Sequence, residues 1–573
     1  MSVFHLFVDF QGLSTAEGME QADVARAMAR GEGSVTKTLR PIALAKLQER
    51  TGVEEIPLKL PATSHGPLNP LVNAGLLKIS GTEYPVDFKY RIYFPDRVIA
   101  GGSMFCFFGA LGLTFLLVSR LFDGVLAGFT VVAMLVCEMM WRFTQTGLPQ
   151  MLGLLVFMAG LVFLESSLRR WRLGGIPLLG LIGAGFSFGL LVLTTPIGLG
   201  VAVAAAFFVL LIFKKRMLLP LSFLFVMTLT IAPWIVGNLQ ATGSLLGVST
   251  VEVQDSWGES AGSPIMRSFE PGAESAHPRL FLAKKMGRVL TQHFENFWLL
   301  VGGSVGAGLF WLSMLHPFRN PDAVHLRNGI ALMWGGSLVG MMLFGTPDLV
   351  FDANQVHVWF IPIATAFGLA ILSVFWMRLP IAQNHWSLWQ RAHLIAAVIL
   401  TALPMMINLP GRATLGLFMS NRVVHWPPYD PAAIAFLGDW TDDRQVIFSD
   451  VPWAVAWYAD RPSVWLPMEP AQFQEIAKQI EDRDPNSVAG IFLTPQTLDQ
   501  PLASGVMSGD YEPWNRVLLN GPLKSVNVTV FEQAPSGLRY TQRLSASNDQ
   551  ESWFFSSRPI WRETRNLAGQ IEK

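Results

Sequence analysis

The feature that most constrains this chain is a series of apolar segments, many near bilayer length, running from residue 99 to residue 409. A transmembrane helix needs about 20 mostly apolar residues. Such segments fall near 99–119, 124–141, 150–166, 175–194, 197–213, 217–237, 296–315, 328–346, 357–377 and 392–409. Charge in the connecting loops alternates. Arg120, then Arg169, Arg170 and Arg172, then Lys214, Lys215 and Arg216, then Arg319 and Arg327, then Arg378 and Arg391 occupy every second connection. The intervening short loops, at 142–150, 194–196 and 345–356, carry Asp348 and Asp352 and a single Arg. The positive-inside rule puts the basic set in the cytoplasm, and an error of one span would scramble the alternation.

Residues 9–98, 238–295 and 410–573 then share the non-cytoplasmic side. The expected fold is a polytopic α-helical membrane protein with about ten spans and a C-terminal soluble α/β domain. Its parts are a first extracytoplasmic loop with amphipathic helices (1–98), a transmembrane helical domain (99–409, with an outer loop at 238–295) and an extracytoplasmic domain (410–573). A loop of this length needs a preceding span to reach the outside. Met1 to Val8 has no basic n-region and is too short for a span, so one N-terminal span is expected to be missing ahead of Asp9.

Composition agrees: 51% of residues are hydrophobic and 15% charged, where soluble proteins have about 25% charged. A net charge of +0 gives no electrostatic basis for nucleic-acid binding. Cys106 and Cys137 lie in apolar runs and read as buried side chains. Strands are expected at 446–448, 464–466, 489–493 and 526–531, with helices at 431–440, 452–458 and 470–480 between them. That alternation predicts a partly parallel sheet.

The first outer loop carries the candidate chemistry. Thr15 to Gly33 reads as a helix capped by Ser14 or Thr15, with Glu17 in its first turn and Gly31 at its end. Such a helix suits the membrane surface, with Glu20 and Asp23 on a solvated face. Asp9 and Glu17 stand near the bilayer surface, where a carboxylate is placed to act as a general base. His65-Gly66-Pro67-Leu68-Asn69-Pro70-Leu71 then enters an apolar helix from Val72 to Ile79.

Glu17, Ala22, Ala25, Arg26, Met28, Ala29, Gly31 and Gly33, then Arg40-Pro41, then the His65 segment, resemble family 39-type glycosyltransferases. These are bacterial relatives of the protein O-mannosyltransferases and of the lipid A aminoarabinose transferase. The Pro233-Trp234…Asn238 span exit is similar to theirs as well. The resemblance implies a GT-C fold and a multi-pass protein of the bacterial inner membrane. It implies a polyprenyl-phosphate sugar donor, transfer with inversion on the outer face, and an acid in the first outer loop that deprotonates the acceptor. The family usually writes that acid as Asp-Glu. Here Glu17-Gly18 stands at the matching place, leaving Glu17 and Asp9 as alternatives for the base. Gly66 stands where the family has a first Pro.

Arg40, His65, Lys285 and Arg288 are the candidate donor-phosphate ligands. Lys284, Lys285, Arg288 and His293 precede a span, and basic groups there hold phosphate or simply snorkel. Asp348, Asp352 and His357 lack a ligand-spacing signature; a divalent metal is possible and no metal ligand is assigned. Arg142 to Pro149 is a polar patch at the outer end of a span. Gly180, Gly183 and Gly185 read as helix packing, and the aromatic-rich stretch Asp450 to Tyr458 reads as packing or as an acceptor-sugar platform. A membrane transporter or lipid flippase is the alternative function. It calls for mid-membrane ionisable groups and inverted repeats; the spans show few of the first and none of the second.

Overall fold

Each apolar segment is helical, as expected where lipid offers no partner to a backbone N–H or C=O. The computed structural model describes residues 1–53, 55–86, 92–253, 265–270, 279–344, 355–379, 387–418, 431–494, 511–514, 538, 540–544 and 552–560. Among them, helices Phe94–Leu121, Gln150–Arg172, Leu218–Thr242 and the stretch Trp389–Ala413 are long and apolar enough to cross a membrane. Gly124–Leu135 and Glu138–Gln145 together make a fifth candidate, bent by 56°. Leu178–Val192, Gly198–Phe213 and Ile361–Trp376 are apolar but shorter. The 296–315 segment is broken at Gly302 and Gly303, which both take left-handed φ, +66° and +65°. Leu218, Phe225 and Leu229 stand 80, 68 and 61% exposed on one helix, a surface suited to lipid rather than water.

Small residues let these helices meet. A Cβ on Gly200 would fall on the Gly336 carbonyl, and one on Gly368 would fall on the Gly306 carbonyl. Gly180, Gly183 and Gly185 abut Ser167, Phe163 and the Phe223 carbonyl, in line with a packing role.

Outside the apolar helices, β1 (Val35–Thr36) pairs antiparallel with β3 (Leu60–Pro61), and six further strands form one sheet. Its strands are β2 (Thr38–Leu39), β4 (Val446–Ser449), β5 (Ser463–Trp465), β6 (Val488–Leu493), β7 (Tyr540–Arg543) and β8 (Trp553–Ser556), in the order β2-β5-β4-β6-β8-β7. The β2, β5, β4 and β6 pairings are parallel and the last two antiparallel. Strands β4, β5 and β6 are buried throughout, which accounts for their unbroken apolar runs. Helix Pro431–Trp440 packs in the core with Ile447, and helix Pro470–Arg483 in the core with Val446 and Phe448. The strand expected at 526–531 lies outside the described residues. Edge strand β2 comes from the first loop, so that loop and the C-terminal residues share one sheet. They also share one core, in which Met19 and Ala22 cluster with Ile434, Ile447 and Trp457.

The expected first-loop helix is present as Ala16–Ala29, with the Thr15 hydroxyl accepting from the Gly18 N–H at 3.2 Å. Its environment differs from expectation. Every residue from Gly18 to Ala27 is buried, because the helix packs on Leu68–Ile79 on one side and on residues 452–459 on another. Glu20 and Asp23 are therefore interior ion-pair partners rather than a solvated face.

Candidate functional site

Two acids of the Ala16–Ala29 helix reach the same imidazole. His65 Nδ1 lies 3.1 Å from Glu17 Oε1, and Nε2 lies 3.0 Å from Glu20 Oε2. Positions 17 and 20 are three apart, hence neighbours on one helical face. Arg40 closes the group from behind, its guanidinium reaching both Glu20 oxygens at 2.5 and 2.6 Å and the Ser64 hydroxyl at 2.6 Å. Burial pushes the Glu20 carboxyl up, but the charges of Arg40 and His65 outweigh it and hold it down at about 2. Burial pushes His65 down, while Glu17 and Glu20 raise it to about 10, so the ring is an imidazolium at neutral pH.

Glu17 is the accessible member, its side chain 21% exposed against 3% for Glu20. Gln21 Nε2 donates to Glu17 Oε1 at 2.7 Å. Both contacts on Glu17 thus fall on one oxygen among the described residues. Gln21 is held by Asn69 Nδ2 at 2.6 Å, and that amide also reaches the Gly147 carbonyl at 3.2 Å.

Asp9 belongs to a second cluster. Its carboxylate accepts from His5 Nδ1 at 2.9 Å, Gln145 Nε2 at 3.0 Å and Arg412 at 3.3 Å. Arg412 also pairs with Glu138, whose other oxygen accepts from Asn408 at 2.8 Å. His5 stacks on Trp141 at 4.5 Å. The polar patch of residues 142–149 joins the clusters: Gln145 holds Asp9, while the Thr146 carbonyl accepts from the Thr15 hydroxyl at 2.9 Å.

Positions 18 and 66 leave no room for a side chain. A Cβ at Gly18 would fall on the Thr146 carbonyl, and one at Gly66 on the Leu193 carbonyl. Backbone sits where a larger residue would need to be.

The other half of the helix is clamped to the C-terminal residues. Arg26 donates to the Trp457 and Ala456 carbonyls at 2.8 and 2.6 Å and pairs with Asp23 at 2.7 Å and Asp460 at 3.1 Å. Asp96 accepts from the Trp457 indole at 2.7 Å and the Tyr458 hydroxyl at 2.9 Å. Trp457 is fully buried and Tyr458 nearly so, which makes this aromatic run an anchor and not an exposed platform for a sugar.

Lys285 and Arg288 share helix Arg279–Glu295, three positions apart. Lys285 is buried and donates to the Val253 carbonyl at 3.2 Å. No contact between this pair and His65 is seen among the described residues. His357 is buried, Nδ1 accepting from the Trp334 indole at 2.8 Å. Asp348 and Asp352 lie outside the described residues. Among the described residues no three His, Cys, Asp or Glu side chains converge as a metal would require. Sequence reasoning missed Arg412, Glu138 and His5 as partners of Asp9. A charged residue at the end of an apolar segment was the available signal for the first two.

No family model matches the chain, and no curated protein matches its sequence. In three dimensions it is similar to ArnT from Cupriavidus metallidurans bound to undecaprenyl phosphate, with a TM-score of 0.53 and 13% identity over 98% of this chain and 97% of that one. The chain has the GT-C fold. The apo state of the same ArnT gives a TM-score of 0.53 and 12% identity over 96% of each chain. The archaeal oligosaccharyltransferase AglB from Archaeoglobus fulgidus, in complex with an inhibitory peptide and a dolichol-phosphate, gives 0.49 and 12% over 85% of this chain and 66% of that one. The GT-C fold expected from the first-loop motifs is thus present along nearly the full chain.

Proposed function

We propose that this protein is an integral membrane glycosyltransferase that moves a sugar from a polyprenyl-phosphate donor to an acceptor on the extracytoplasmic face. The observation that carries this is the Glu17–His65 pair: a partly exposed carboxylate bonded through one oxygen to a fixed cation, in a chain of GT-C fold. Glu17 takes a proton from the acceptor O–H or N–H. The acceptor atom attacks the anomeric carbon, the carbon–oxygen bond to phosphate breaks, and the electron pair leaves on polyprenyl phosphate. Lys285 and Arg288 are the candidates for contact with the phosphate, while His65, both ring nitrogens held by carboxylates, adds its positive charge at a distance. Asp9 is the alternative base. Glu17 is favoured because its side chain is 21% exposed against 7% for Asp9, whose Oδ2 already holds three donors.

The decisive experiment measures sugar transfer and polyprenyl-phosphate release from sugar-loaded donors by the wild type, Glu17→Gln and Asp9→Asn. Loss of turnover in Glu17→Gln supports the assignment, and full turnover in both variants ends it. A flippase would move the donor without releasing polyprenyl phosphate. The sidedness is tested separately by labelling a cysteine placed at exposed Glu32 from outside intact cells; protection there reverses the topology.

A further inference from the structure

We propose that Arg40 and Glu20 are a positioning pair that fixes His65 against Glu17, and that the sheet shared with the C-terminal residues holds this pair in place. The inference rests on the Glu17–His65 reading above. It departs from Arg40 as a donor-phosphate ligand.

The geometry runs in one line from sheet to acid. Strand β2 pairs in parallel with β5, Thr38 opposite Ser463 and Leu39 opposite Val464. The preceding residue is fixed twice, its carbonyl accepting from the Ser463 N–H at 2.9 Å and the Lys37 ammonium lying 2.6 Å from Asp460. Arg40 is the next residue after β2, so its backbone is set by the sheet. Its guanidinium takes both oxygens of Glu20, an arrangement that fixes direction as well as distance. Glu20 is 2% exposed and does not face a substrate. Its Oε2 meets His65 Nε2, and the opposite ring nitrogen meets Glu17. An imidazole gripped at both nitrogens by two carboxylates has one orientation.

Arg40 therefore acts through Glu20. A guanidinium committed to a carboxylate and to the Ser64 hydroxyl, with 12% of its side chain exposed, suits alignment rather than capture of a lipid phosphate. Displacing a reacting group by about 1 Å can cost on the order of 100-fold in rate.

The test uses the full chain in detergent or nanodiscs. Glu20→Gln, Arg40→Lys and the double variant Glu20→Gln/Arg40→Gln are compared with wild type. The double variant removes both charges and leaves no buried ion unpaired. Expected for all three is a fall in kcat of about 100-fold with donor KM and undecaprenyl-phosphate binding changed less than about 2-fold. Arg40→Lys restores charge without the fork and does not recover kcat. A raised donor KM at unchanged kcat would instead make Arg40 a phosphate ligand and overturn the proposal. Nuclear magnetic resonance of labelled histidine supplies a readout that does not depend on turnover. In wild type the His65 ring stays protonated well above neutral pH; in Glu20→Gln it titrates at lower pH. An unchanged titration refutes the pair's hold on His65, even if no sugar donor is ever turned over, and a lowered one supports it. Absence of turnover in wild type with the expected titration counts against the enzyme reading alone.

Discussion

The two ion clusters that flank residues 142–149 are built in opposite ways. Glu17, Glu20, Arg40 and His65 come from one stretch of the first loop, with separations of 20 and 45 residues between bonded partners. Asp9, Gln145, Glu138 and Arg412 are gathered from across the chain, with separations of 136, 274 and 403 residues. The first cluster presents a partly exposed carboxylate and a cation. The second locks its carboxylates between an arginine, amides and a histidine. Carboxylates of one chain thus acquire different chemistry from their neighbours. The first arrangement suits proton transfer, and the second suits joining the last long helix to the start of the chain.

That contrast can be broken experimentally. The largest effect is expected for Glu17→Gln, a loss of turnover of about 100- to 10,000-fold, the usual worth of a general base. Asp9→Asn should lose less, and an equal loss in both variants would erase the functional difference between the clusters. Next, Arg412→Gln leaves Asp9 and Glu138 short of a cation. It should destabilise by about 1–3 kcal/mol, less than for a fully buried pair because the Arg412 side chain is 26% exposed, read as a drop in unfolding temperature in detergent. Gly18→Ala and Gly66→Ala push a Cβ into backbone carbonyls. Each should cost about 1–3 kcal/mol, with Gly18→Ala also lowering kcat because it moves the turn that carries Glu17. A thermal shift near zero for either would show that the backbone yields there.

A further test of the contrast is the pH dependence that His65 and Glu20 give the first cluster. His65 has an ordinary value of 6.5 and is raised to about 10 in the folded chain. The folded state binds that proton more tightly, so the resulting stability is complete below 6.5 and is lost as pH rises toward about 10. Glu20 works at the other end, its contribution present above 4.5 and lost as pH falls toward about 2. Unfolding temperatures of wild type and His65→Gln should therefore converge as pH is raised above 6.5. A constant difference across that range would mean that His65 is neutral in the folded protein.

Much of this was legible from the residues. Apolar runs mark helices because lipid leaves the backbone no other solution, and the spacing of Glu17, Arg40 and His65 within one loop kept those three within local reach. Thr15 as cap, Gly31 as stop, the packing role of Gly180, Gly183 and Gly185, and the strands at 446–448, 464–466 and 489–493 all follow from propensity and period.

The burial of Glu20 and Asp23 was not legible, because amphipathic pattern does not say whether a polar face meets water or a buried arginine. Nor was the strand contributed by Thr38 and Leu39, since two residues carry no periodicity and their partner lies at 463–464. Asp9 with Arg412 is the extreme case: a bond across 403 residues exists only once the helices have packed. Sequence alone determined which segments are helical and that Glu17, Arg40 and His65 are candidates in one stretch of chain. The tertiary structure decided which of those acids stays accessible, because accessibility depends on what other parts of the chain bring against it.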